Sequence, residues 1–315
     1  MRNADPRTPI ESELTLPDRR RKAGLSSSRS APARIPAFTL LELLAVISVL
    51  TVAVFVLAPA LARTKPAGKS IGCLNNLRRF TAAWIMYSAD QSDRVANNFG
   101  VNDTINAISS RTYDNWANNV MDWTTAPMNT NNDLLRVGVI GPYLGGDFGV
   151  YRCPADEYRS TIERAAGLAF RTRSISMNSV LGRFSHTTDS TSQGLNWALP
   201  QYIQYLKQAR IPKPARTWVV LDEHPDSIND GYFLNSPSAT SWQDIPASYH
   251  NSGCGFAFAD GHSEIRKWVS ATSRYPVLFT YLNRPFDALG RLDFAWYLQR
   301  TGYVDARTGR PAFGY

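Results

Sequence analysis

Cysteine is scarce in this chain: three occur in 315 residues, none of them in a CxxC pair. That excludes a disulfide-built scaffold and an ordinary zinc ribbon. HExxH, GxSxG and the DxDxDG loop are also lacking, so the metalloprotease, α/β-hydrolase and EF-hand classes have no anchor here. AGKS at 67–70 ends like a P-loop, but Arg63 stands where the earlier glycine belongs. Charged residues make up only 19%, against 43% hydrophobic and 11% aromatic residues, which excludes a disordered chain.

A net charge of +8 invites a nucleic-acid partner, but its location argues otherwise. Residues 1–37 hold eight Arg or Lys against four Asp or Glu, and the rest of the chain carries its charge thinly. No nucleic-acid face is expected. Next to that basic segment lies the most apolar stretch, Leu43 to Ala62, twenty residues without a charge. As a helix it would be roughly 30 Å long, the thickness of a bilayer core. The expectation is therefore a basic cytoplasmic leader (1–37), a transmembrane half of an N-terminal helix (38–62) and a continuation of that helix (63–96). An extracytoplasmic head (97–315) follows, attached to the inner membrane by a single pass. Pro59 and Pro66 are expected to loosen the helix near its exit.

Helical spacing continues at Leu74, Leu77, Trp84, Ile85 and Tyr87, with Arg78 and Arg79 turned away. Residues 97–132 carry ten Asn with Trp116 and Trp123, which is loop chemistry with short strands, the two Trp serving as core anchors. TWVVL (217–221) reads as a strand. GFAFADGHSEIRKW (255–268) reads as a hairpin whose Asp260-Gly261 suits a type I′ turn. The fold class expected is α+β: a long transmembrane spine helix carrying a head with an antiparallel sheet.

Glu42 is the one acid at the mouth of the apolar span, and an ionisable group there needs a partner. A cut between Ala37 and Phe38 would supply one, placing a new α-amino group one helical turn away.

Phe38-Thr39-Leu40-Leu41-Glu42 resembles the start of type IV prepilins and of the pseudopilins of type II secretion. The resemblance implies cleavage by a prepilin peptidase between Ala37 and Phe38, N-methylation of Phe38, and Glu42 acting in assembly. Ala37 departs from the Gly usual before the cut, and the leader is long. CLNNLRRFTAAWIMYSADQSDRVANN (73–98), YRCPADEYRS (151–160) with Cys153, RSISMNS (173–179) and the stretch from Asp222 to His262 are similar to a bacterial group of pilin-like proteins of planctomycete and verrucomicrobial type. That group is known by a C-terminal His-x9-Asp-Gly signature, here His250 with Asp260 and Gly261. The implied function is a non-enzymatic pilin or pseudopilin subunit whose partners are the peptidase, other subunits and membrane lipid. The alternative is a tethered head that binds carbohydrate or metal without polymerising.

Asp222, Glu223, His224, Asp226, Asp230, His250, Asp260 and His262 are taken as a hydrogen-bonded network bracing the sheet, with His250 meeting Asp260. No cofactor is expected; the alternative is Ca²⁺ held by Asp226, Asn229 and Asp230. Ser248, Ser252 and Cys254 flank His250, but no nucleophile motif frames them. A Cys153–Cys254 disulfide, leaving Cys73 over, is one of three pairings left open.

Overall fold

The computed structural model describes residues 38–186 and 194–314, and the side chains of residues 56–66 are outside that description. The leader with Ala37, and the side chains of Pro59 and Pro66, therefore lie outside the described residues.

The first helix, α1, spans Leu40–Asp90. It opens with a capping box. Thr39 Oγ1 accepts from the Glu42 amide at 3.2 Å, and Glu42 Oε2 accepts from the Thr39 amide at 2.9 Å. The chain divides after Val54 into two compact units. In the first unit the apolar side chains of α1 are uncovered around its whole circumference: Leu41 is 79% exposed, Val49 68% and Val54 63%. Ser48 and Thr51 turn their hydroxyls back onto the carbonyls of Leu44 and Ile47, so the apolar surface is not interrupted by free donors.

The transmembrane half expected over 38–62 is corrected: among the described residues, no helix is long and apolar enough to cross a membrane. The α+β expectation is compatible with the second unit alone. The helix also ends at Asp90, earlier than the expected residue 96.

In the second unit Cys73, Leu77, Phe80, Trp84 and Tyr87 make the buried stripe of α1, while Arg78 and Arg79 face outward. A five-stranded sheet follows, built from β1 (Ile175–Asn178), β2 (Trp218–Asp222), β3 (Tyr232–Phe233), β4 (Gly253–Phe258) and β5 (Ser263–Lys267). Their spatial order is β3-β1-β2-β4-β5. Only the β1–β3 pair is parallel; the other three are antiparallel. Every residue of β1, β2 and β4 is buried, so the sheet is covered on both faces. The α1 stripe lies against one face at Gly255. The C-terminal helix (Ala288–Thr301) covers the other through Trp296 on Phe256 and Tyr297 on Trp218. Alternation along β4 sends Gly255 and Phe256 to opposite faces.

The β4–β5 hairpin falls where the sequence places it, but its turn is not type I′. Gly261 alone has positive φ, +95°, and its amide donates to the Phe258 carbonyl at 2.8 Å. A type I turn closed by a glycine bulge fits that pattern. The Asn-rich stretch carries the short helix α2 (Val101–Ser109) and an isolated bridge, Asn97 to Asn115, in place of strands. Its buried amides do the bracing. Asn98 Nδ2 donates to the Asn178 carbonyl at 3.1 Å, and Asn115 Oδ1 accepts from the Phe99 and Trp116 amides at 3.0 Å each. Trp116 is a core anchor, stacked on Tyr151 with its Nε1 donating to Asn98 Oδ1; Trp123 is half-buried, donating to the Pro225 carbonyl.

Candidate functional site

Four side chains from four separate segments converge under the sheet. Cys73 comes from the inner stripe of α1, and Cys153 from the loop after the 3-10 turn Phe148–Tyr151. Asp222 is the last residue of β2, and His250 stands in the turn that leads into β4. That turn is firmly built: the His250 amide donates to the Gly253 carbonyl at 3.1 Å, and Lys267 Nζ donates to the carbonyls of His250 and Asn251. Asn251 and Ser252 take the left-handed conformation that reverses the chain there.

All four side chains are buried. Cys73 Sγ lies 3.0 Å from Asp222 Oδ2, and Cys153 Sγ 3.2 Å from His250 Nε2. The same Nε2 stands 3.6 Å from Asp222 Oδ2, while His250 Nδ1 faces Ser70 Oγ at 3.1 Å. Against burial, which opposes its charge, the Asp222 and Cys153 partners hold the His250 imidazole up to about 9. Hydrogen bonding to Cys153, burial and the Asp222 carboxylate push the Cys73 thiol well above its ordinary range. Burial also works on Cys153, but donation from Cys73 and the His250 charge outweigh it and lower that thiol.

This is not the relay of a thiol hydrolase. In a relay the acid orients the imidazole through the nitrogen that does not face the nucleophile. Here carboxylate and sulfur share one nitrogen. All three cysteines are free thiols, and Cys254 Sγ donates to the Asp222 carbonyl at 3.2 Å instead of meeting Cys153.

The acid and imidazole residues singled out in the sequence fall into three places. Asp222 and His250 join the cysteine cluster. Glu223, His224, Asp226 and Asp230 form a second group. There His224 Nε2 faces the Tyr275 carbonyl at 3.1 Å and its Nδ1 accepts from the Asp226 amide. Asp226 accepts from the Leu278 and Phe279 amides, and Asp230 Oδ1 from the Tyr232 amide. The Asn229 carbonyl takes Arg173 Nη2 at 2.9 Å and the Met121 amide at 2.7 Å. Both carboxylate oxygens of Asp226, Oδ1 of Asp230 and the backbone carbonyl of Asn229 thus accept from protein donors. The third place is the exposed hairpin tip, where Asp260 Oδ1 meets His262 Nδ1 at 2.6 Å and accepts from the His262 amide at 3.2 Å.

The expected His250–Asp260 pair is therefore corrected. The six residues of β4 lie between them, a rise of about 20 Å at about 3.3 Å per residue, so the two sit at opposite ends of the strand. His250 does meet a carboxylate, that of Asp222. Cys73 is the member that sequence reasoning missed, having been taken as the cysteine left over. Its place on the buried face, one turn from Leu77, was the available signal.

No family model, curated protein or solved structure matches this chain.

Proposed function

We propose that the chain is a non-enzymatic, pilin-like subunit that assembles through its N-terminal helix, presenting the sheet-containing unit as its head. The observation that carries this reading is the stretch 40–55, apolar on every side and uncovered. A helix hydrophobic all round is ordinarily buried, and an exposed apolar surface of this extent marks an interaction site. Its occupant is the same helix of another copy or of a related subunit. Identical apolar helices of this length bury one another by side-by-side packing.

The start of the helix supports the same reading. The capping box places the first helical turn directly after Phe38, so a cut between Ala37 and Phe38 frees an amine beside an already ordered Glu42. Hydrogen bonds from the Thr39 amide and hydroxyl hold that carboxyl below its ordinary range, so it is ionised at neutral pH and available to a neighbour's Phe38 amine. We assign peptidase processing and Phe38 methylation to this site on the strength of the FTLLE resemblance.

Sedimentation of the chain beginning at Phe38 tests the reading, with wild type compared to a Leu44→Gln, Val49→Gln double variant. Concentration-dependent association in the wild type and its loss in the variant are expected. A wild type that stays monomeric in detergent-free buffer, or a variant that associates equally, overturns it.

A further inference from the structure

We propose that Cys73 Sγ, Cys153 Sγ, Asp222 Oδ2 and His250 Nε2 are the four ligands of a structural site for a thiophilic divalent cation, with Zn²⁺ as the best match. The site is independent of helix-mediated assembly.

Geometry comes first. The four ligand atoms all lie within 4.8 Å of one another. A tetrahedral zinc site with Zn–S of about 2.3 Å and Zn–N or Zn–O of about 2.0–2.1 Å has ligand–ligand edges of roughly 3.3–3.8 Å. The observed separations of 3.0, 3.2 and 3.6 Å fall at or slightly inside those edges. Among the described residues this is the one place where three or more His, Cys, Asp or Glu side chains come together in this way. Two sulfurs, an imidazole and one carboxylate form a mixed donor set suited to zinc rather than to Ca²⁺ or Mg²⁺, which select oxygen.

Three further features point to a ligand. Asp222 Oδ1 is buried and has no hydrogen-bond partner among the described residues. Such a bare carboxylate oxygen in the interior needs compensation, which a cation bound at Oδ2 supplies for the whole group. The space around Oδ2 is kept open by Gly255. A Cβ built there would sit 2.7 Å from Asp222 Oδ2 and 3.0 Å from Cys73 Sγ. Ser70 Oγ, on the far side of the ring, accepts from Nδ1–H in the bound state and so leaves the Nε2 lone pair for the metal, the usual outer-shell arrangement for a ligating histidine.

An entry path is present. His250, Ser70, Tyr249, Lys69 and Glu157 line a cavity of about 530 Å³ that opens to solvent, so the imidazole forms the boundary between solvent and the sulfurs. With four protein ligands no coordination position is left for substrate, which makes the site structural. Binding takes both sulfurs as thiolates and the imidazole as the neutral ring, and the displaced protons go to solvent. The cation would then tie α1 to the end of β2, the Cys153 loop and the turn before β4. These segments are far apart in sequence: 149 residues separate Cys73 from Asp222, and 97 separate Cys153 from His250.

The full chain, purified reduced and metal-free, is titrated with Co²⁺ and then with Zn²⁺. One Co²⁺ per chain is expected, with tetrahedral d–d bands and thiolate-to-cobalt charge transfer, both erased by Zn²⁺. Cys73→Ser and Cys153→Ser should each diminish the charge-transfer band, whereas Cys254→Ser should keep it. Because a chain that loses one of the four ligands can fail to fold, Ser70→Ala provides a milder probe. Its Co²⁺ affinity should fall about 10–100-fold, with the circular dichroism spectrum retained. Absence of tetrahedral Co²⁺ bands in the folded wild type would overturn the site. So would charge transfer unchanged in folded Cys73→Ser and Cys153→Ser, or a Cys73–Cys153 disulfide that re-forms in air despite saturating Zn²⁺.

Discussion

Gly255 lies in β4 beside Asp222 at the end of β2, so close that a single methyl on the glycine would stand 2.7 Å from the carboxylate oxygen Oδ2. The same methyl would meet Leu77 Cδ1 at 2.7 Å. The absence of a side chain here lets α1 approach the sheet and lets Asp222 reach the two cysteines.

Gly255→Ala should therefore destabilise the chain by about 1–3 kcal/mol, the usual range for overpacking a tight interior. Gly68→Ala is the control, a glycine of α1 with open space around its Cβ. That change should be neutral or stabilise by about 0.5–1 kcal/mol. Urea titrations of both variants check the contrast.

At Glu42, two substitutions separate capping from charge. Gln fills the third position of a capping box as Glu does, whereas Ala does not. Glu42→Gln should keep the helix start and lose the partner of a Phe38 amine; Glu42→Ala should lose both. Hydrogen exchange at the Thr39 and Glu42 amides, read beside cross-linked oligomer yield, distinguishes them. Equal oligomer yields from wild type and Glu42→Gln would remove the ion pair from the assembly account.

The metal-free chain should be more stable at pH 5 than at pH 8. Burial pushes the Asp156 and Asp230 carboxyls up to about 6 and Glu223 up to about 7. The folded state keeps these protons where the unfolded chain has lost them, so each group's contribution falls as pH rises through its folded value. His250, held up to about 9 despite its burial, contributes stability that is present below the unfolded imidazole value and lost towards that pH. His224 opposes the trend. Burial lowers it to about 4, so stability falls below its unfolded value as the unfolded ring takes up a proton. Three carboxyls and one imidazole outweigh it. Melting temperatures measured with a chelator present should fall from pH 5 to pH 8, and a rise over that interval would contradict the assignment.

Much of the local structure was legible in the sequence, because strands and hairpins have short-range signals. TWVVL contributes Trp218 to Leu221 of β2, and Asp260-Gly261 marks the hairpin tip. Its turn type was not legible, since Asp-Gly serves both a type I′ turn and a type I turn with a glycine bulge, and strand twist and packing decide between them. The site was legible only in part. His250 and Cys153 stand in recognisable segments, but their meeting with Cys73 depends on how α1 crosses the sheet, which no local pattern encodes. The spanning helix expected over 38–62 is not found among the described residues, because a run of uncharged residues measures apolarity along the chain and does not by itself fix a membrane-crossing helix. The Asn-rich stretch misled for a different reason. Asn amides that usually mark exposed turns are buried here, braced against neighbouring carbonyls and amides.

The most direct test of helix-mediated assembly is a photo-cross-linking side chain placed at Leu44 or Val49 in the native cell, with the captured peptide identified by mass spectrometry. Capture of a peptide from residues 38–55 of a second copy, or of the N-terminal helix of another subunit, is the result the account expects. Products formed only with lipid, or only with the head of the same chain, would contradict it.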